Sequence, residues 1–68
     1  MLYFNITFMD QSKISGKANK IMCNDIDVTD ESRDEIMKLF VDGENNFLIA
    51  TDSFEIKFLV KSVLGFTI

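Results

Sequence analysis

The stretch "KISGKANKIMC", Lys13 to Cys23, starts as a strand and then loses step. Ile14, Gly16 and Ala18 share one parity, whereas Ile21 and Cys23 take the other. Side chains alternate faces along a strand, so a uniform strand would turn one of these groups to water. A bulge or a short bend near Asn19 and Lys20 reconciles them by re-aiming the strand's end. The small residues Gly16 and Ala18 leave room for something bulky across them, which points to the helix that follows.

On the amino-terminal side, Leu2, Phe4, Ile6 and Phe8 alternate with Tyr3, Asn5, Thr7 and Met9, the two-residue period of a half-buried strand. The polar cluster Asp10 to Lys13 reverses the chain between these two strands. On the carboxyl-terminal side comes "DIDVTDESRDE", residues 25 to 35, in which Asp25, Asp27, Asp30, Glu31, Asp34 and Glu35 surround a single cation, Arg33. It reads as the solvated approach to a helix. Thr29 is one candidate N-cap, and Ser32 with Glu35 forms a competing Ser-x-x-Glu capping box. From either start the body holds Ile36, Met37, Leu39, Phe40 and Val41, with Gly43 as a stop. So short a helix does not persist alone and must lie on a sheet.

"NNFLIATDSFEIKFLV", residues 45 to 60, is a hairpin. Phe47, Ile49 and Thr51 alternate, Thr51-Asp52-Ser53 turns, and Phe54, Ile56, Phe58 and Val60 alternate again. Leu64, Phe66 and Ile68 keep that parity, and a break at Lys61 and Ser62 makes them a fifth short strand. The expectation is therefore an α+β single domain over residues 1–68. Its order is β-β-α-β-β with an additional β, in a four- or five-stranded, mostly antiparallel sheet with one helix packed on one face. This order resembles a ubiquitin-like β-grasp, in which the helix crosses a mixed sheet, and equally a plain antiparallel sheet with one helix on it. The segment "GFTI" at 65–68 has no Gly-Gly tail, so nothing supports conjugation or sulfur-carrier chemistry.

Composition narrows the function. The 68 residues are 47% hydrophobic, with seven phenylalanines, three glycines and no proline, which marks a folding sequence. A core of this size yields only about 3 to 5 kcal/mol of net stability, so small domains often add disulfides, a metal or a partner subunit. One cysteine, Cys23, and no histidine rule out an internal disulfide and the usual zinc ligand set. The first residues lack the basic region of a signal peptide, and no apolar run reaches spanning length, so the expected location is cytoplasmic without membrane attachment. Asn5-Ile6-Thr7 is then a chance sequon. The abundance of Ile, Lys, Asn and Phe fits an AT-rich genome, such as that of a low-GC bacterium or its phage.

Among chemical motifs, Asp25-x-Asp27-x-Thr29 imitates the start of an EF-hand loop, but Asp30 stands where glycine is needed and Ile36 where the bidentate glutamate belongs. No nucleophile with an adjacent base can be placed, no phosphate-binding glycine loop occurs, and Cys23 reads as a small semi-buried hydrophobe. The expectation is no enzyme, no metal and no cofactor.

Charge is more informative. Residues 25 to 44 carry eight acids against Arg33 and Lys38, a net −6, while the remainder carries five lysines against three acids, a net +2; together these make the chain's −4. Carboxylates at a helix N-terminus are stabilised by the macrodipole, each by roughly 0.3 to 1 kcal/mol at low salt. They also steer a basic partner. The sheet's second face is expected to be apolar too, with Tyr3, Met9, Leu48, Ala50, Leu59 and Val63, which one short helix cannot cover. The functional expectation is a non-enzymatic protein-interaction module of accessory, adaptor or inhibitor type that pairs as a homodimer. Its acidic contacts are Asp27, Asp30, Glu31, Asp34 and Glu35, and its apolar contacts are Tyr3, Leu48 and Leu59. The alternative is a nucleic-acid-binding sheet using Lys13, Lys17, Lys20, Lys57 and Lys61 with Tyr3 as a stacking platform. The acidic balance disfavours it.

Overall fold

The computed structural model describes residues 2–68 and shows a small α+β domain with two antiparallel sheets and one short helix. Strand β1 (Leu2–Phe8) pairs with β2 (Lys13–Ala18), from Leu2 opposite Ala18 to Thr7 opposite Lys13. The loss of step then resolves as a bend. Asn19 lies outside both strands and its amide donates to the Ala50 carbonyl at 2.8 Å. From there β3 (Lys20–Cys23) leaves β1 and pairs instead with β5 (Asn46–Ala50). One bent segment thus serves two sheets, and both of its parity groups face the same interior: Ala18, Ile21 and Cys23 are all buried.

The return crossing is built the same way. Strand β5 and strand β6 (Glu55–Leu59) form the expected hairpin, whose turn is pinned by Thr51. Its amide donates to the Phe54 carbonyl at 2.8 Å, and its hydroxyl accepts from the amides of Ser53 and Phe54, both at 3.1 Å. A 3-10 turn, Val60–Ser62, then breaks the chain where expected, with Ser62 Oγ donating to the Leu59 carbonyl at 2.6 Å. Strand β7 (Val63–Thr67) follows and pairs with β1. The sheets have the orders β2-β1-β7 and β4-β3-β5-β6, where β4 is Ile26–Asp27, with every ladder antiparallel. The mixed sheet of a β-grasp is not formed; the pairing is antiparallel, as in the plainer alternative, but the strands divide between a three-stranded and a four-stranded sheet instead of forming one sheet of four or five.

Two sheets joined by strands that change partner at bends bury their inner faces against each other. Phe4 and Ile6 from one sheet meet Ile21, Phe47, Ile49 and Phe58 from the other. The sheets themselves therefore supply most of the cover that a helix was expected to give. What lies across Gly16 is likewise not the helix. A Cβ there would meet Thr51 and Phe54 of the β5–β6 turn, and Phe4, at 3.5 to 3.7 Å.

The connection from β3 to β5 opens with a hairpin that the sequence reading treated as loop. Asn24 (φ 52°) and Asp25 (φ 67°) both sit in the left-handed region and link Cys23 to Ile26, the arrangement of a two-residue type I′ turn. The partner is a two-residue strand, β4 (Ile26–Asp27). Helix α1 (Arg33–Lys38) starts at Ser32, whose Oγ accepts from the Glu35 amide at 3.2 Å, so of the two candidate caps it is Ser32 that serves. The helix tightens into a 3-10 turn, Leu39–Val41, and its Leu39 carbonyl takes the Asn45 side-chain amide at 2.7 Å. Gly43 does not end it with a left-handed turn; instead a Cβ there would lie 3.3 Å from Lys61 Cβ, so the glycine admits the passing 60–62 turn.

Two side chains bind this connection to the sheets. Ile36 is fully buried in the common core. Phe40 stacks on Phe47 of one sheet (centroids 4.4 Å apart) and on Phe66 of the other (3.9 Å), closing the gap between them.

Candidate functional site

The acidic segment runs along β4, the turn after it and the first turn of α1, and Asp27, Asp30, Glu31, Asp34 and Glu35 are all exposed. They are not equivalent. The Asp27 carboxylate accepts from the Thr29 amide at 2.9 Å and from the Thr29 hydroxyl at 2.5 Å, while Thr29 Oγ1 accepts from the Ile21 amide at 3.0 Å. This relay fastens the acidic segment to β3. The Thr29 hydroxyl and amide, helped by the charge of Lys20, hold the Asp27 carboxyl below its usual range against a small opposing effect of desolvation. Thr29, one of the two candidate helix caps, is occupied here instead. Asp30 borders a cavity of about 210 Å³ with Leu2, Ala18, Asn19, Ile21 and Thr29. Glu35 pairs with Lys38 at 3.3 Å on the surface, a contact of little energetic weight. Among the described residues, no group of three or more Asp, Glu, Cys or His side chains is placed to hold a metal ion.

The expected apolar contacts divide between the two sheets. Leu48 and Leu59 lie on the outer face of the four-stranded sheet, since their neighbours Phe47, Ile49 and Phe58 point inward. Leu48 is half-buried between Met22 on β3 and Lys57 on β6, and Leu59 is 36% exposed opposite Asn46. Tyr3 is on the other sheet. It is 68% exposed, with Lys17 across from it and the Lys17 Nζ 5.8 Å from the ring centroid. The remaining odd-parity residues scatter as well: Met9 stands in the β1–β2 turn and Val63 packs on the core. A single apolar second face is therefore replaced by a smaller patch of Met22, Leu48, Ala50 and Leu59.

Met22 is not among the expected contacts, because Ile21 and Cys23 alone place the strand that carries it. The Asn24-Asp25 pair, a hairpin-turn dipeptide, is the signal that would have placed it opposite Asp27. The register then runs across the sheet as Asp27, Met22, Leu48, Lys57. One row thus passes from an acid through two apolar side chains to a base.

The five lysines do not line one stripe. Lys13 and Lys17 project from β2 on the outer face of the three-stranded sheet, opposite Thr7 and Tyr3. Lys20 and Lys57 stand on the outer face of the other sheet, opposite Ala50 and Leu48. Lys61 is in the 60–62 turn, paired with Glu44 at 3.6 Å. Cys23 is buried, and burial, with a smaller contribution from Asp42, pushes its thiol above the ordinary range, opposite to what a nucleophile needs.

Among the described residues, no helix is long and apolar enough to cross a membrane. Comparison of the chain with protein-family models, curated proteins and solved structures finds no match.

Proposed function

We propose that this chain is a non-enzymatic protein-interaction module, of accessory, adaptor or inhibitor type, that works as a homodimer in the cytoplasm and binds a basic protein partner. The observation that carries the reading is the cross-strand row Asp27, Met22, Leu48, Lys57, with Leu59 diagonal to Leu48. It sets the apolar patch directly beside the acidic segment. Apolar side chains at the centre of a contact supply most of its energy, and charges at the rim set orientation and association rate. In this arrangement Leu48, Leu59 and Met22 form the centre, while Asp27, Asp30, Glu31, Asp34 and Glu35 form the rim. Tyr3, on the opposite sheet, is left out of this contact.

The test is capture of partners from the native host followed by mass spectrometry. Leu48→Lys with Leu59→Lys should abolish a partner that the parent chain retains, and Tyr3→Ser should leave it in place. Equal capture by the parent chain and the double variant would remove the reading.

A second reading has its own supporting observation. The outer face of the three-stranded sheet carries Tyr3, Asn5, Thr7, Lys13, Ser15, Lys17 and Thr67 and no carboxylate. An exposed ring beside two lysines suits a stacked base and its phosphate. This reading uses only Lys13 and Lys17 of the five lysines. Retention of a single-stranded oligonucleotide that falls with salt, and with Tyr3→Ser, would favour it; no retention at low salt would exclude it.

A further inference from the structure

Four strands stand at sheet edges, and three of them are defended against pairing with another chain. Strand β2 carries Lys13 and Lys17, β6 carries Glu55 and Lys57, and β4 is only two residues long and includes Asp27. Charged side chains and short length are the usual protections of an edge. Strand β7 has no charged side chain, and none occurs from Ser62 to Ile68. We infer that β7 is the homodimer contact, and that two copies pair antiparallel along this edge about a two-fold axis near Gly65 and Phe66. This inference rests on the homodimer part of the reading above and gives it a place.

Three local features fit a second copy as the occupant. First, pairing about a two-fold axis brings each residue of β7 against β7 itself, so a strand must tolerate its own side chains. Val63, Leu64, Gly65, Phe66 and Thr67 meet that condition without like charges, which β2 with its two lysines does not. Second, a β-bulge against Thr7 and Phe8 puts Leu64 out of step with Val63 and Phe66, leaving it 63% exposed. Leu64 itself lines a cavity of about 170 Å³ together with Met37, Phe40, Val60, Val63, Gly65 and Phe66. In the pair, Leu64 of each copy covers the cavity of the other. Third, β7 is an edge strand, and a Cβ on Gly65 would meet nothing within 4 Å, so no side chain covers the sheet face at the centre of that edge.

The bulge keeps the regular part of the edge short, so side chains complete what a few backbone hydrogen bonds begin. The assembly also closes. Once the two β7 edges are joined, each copy has only its defended edges left, and growth into a fibre has no template.

Sedimentation of the full chain over a range of concentrations tests this. The expected result is a dimer that does not grow further, about tenfold or more weaker self-association for Leu64→Lys, and a dimer retained by Leu48→Lys with Leu59→Lys. Because Leu64 is exposed, its variant should keep the parent circular dichroism spectrum, and its melting should match the parent's at concentrations low enough for both to be monomeric. A monomeric parent chain, unlimited growth, or a Leu64→Lys dimer as tight as the parent overturns the inference. Equal partner capture by the parent chain and by Leu48→Lys with Leu59→Lys, with the dimer intact in both, would instead count only against the protein-binding reading.

Discussion

The connection between β3 and β5 has two halves that are held by different physics. Its first half, Asn24 to Glu35, is exposed for most of its length and fixed by local polar bonds: the type I′ turn, the Asp27–Thr29–Ile21 relay and the Ser32 cap. Its second half, Ile36 to Asn45, is fixed by burial of Ile36 and by the ring of Phe40 between Phe47 and Phe66. Asn24 ties the two ends together, its side chain accepting from the Asn46 amide and donating to Asn45 Oδ1, both at 2.9 Å. The difference shows where this molecule is free to vary. Charge in the first half can be changed with little cost to the fold, whereas apolar volume in the second half cannot.

The largest expected effect breaks the buried half. Phe47→Ala or Ile36→Ala removes a fully buried side chain, at about 3–5 and about 2–5 kcal/mol respectively. Against a net stability of roughly 3–5 kcal/mol for a domain of this size, either variant should be largely unfolded, as urea titration followed by circular dichroism would show. A folded Ile36→Ala chain with parent stability would mean that the helix is not anchored as described.

Next is the seam between the halves. Ser32→Ala removes the hydroxyl that accepts from Glu35 and should cost about 1 kcal/mol, read as a lower urea midpoint with an unchanged slope. No change in midpoint would show that water replaces the cap without loss.

A smaller effect concerns the relay in the first half. Asp27 has a folded-state pKa below its ordinary value of 3.8, so the unfolded chain takes up its proton first as the medium is acidified. The stabilisation it gives is present above pH 3.8 and is lost as pH falls from there through the depressed folded value. Asp10, held low by the Ser12 hydroxyl and amide, behaves in the same way. In Asp27→Asn, the acid limb of the stability profile should be shallower than in the parent; an unchanged limb would show that the relay carries no linkage.

The smallest effect on the fold should come from Asp30→Lys with Glu31→Lys, which lie before the helix and make no side-chain hydrogen bond or ion pair among those described. Stability should move by no more than about 0.5 kcal/mol per site, while capture of a basic partner should fall. Unchanged capture would reduce the acidic segment to a solvated helix approach.

Much of this architecture is legible in the residues. The alternation in 2–8, the hairpin at 46–59, Ser32 as one of two candidate caps, a bulge or bend near Asn19 and the break at Lys61 and Ser62 follow from side-chain period, turn chemistry and capping geometry, which act over a few residues. Strand β4 was legible too, through Asn24-Asp25, but a two-residue strand carries no alternation by which to recognise it. The surface was less legible. Leu64 shares the parity of Phe66 yet stands outside, because a bulge is set by how β7 meets β1, and Tyr3 shares a surface with Lys17 rather than with Leu48 and Leu59.

By itself, the sequence determined which side chains turn inward in the regular strands, though not at the β7 bulge, and where the chain must bend, because both depend on neighbours along the backbone. Only the tertiary structure decided that the bends divide the strands between two sheets, that Phe40 closes the gap between them, and which outward side chains meet. Alternation records the side of a strand but not its partner, and partners are chosen by the packing of Phe4, Ile21, Ile36, Phe47 and Ile49 into one shared interior.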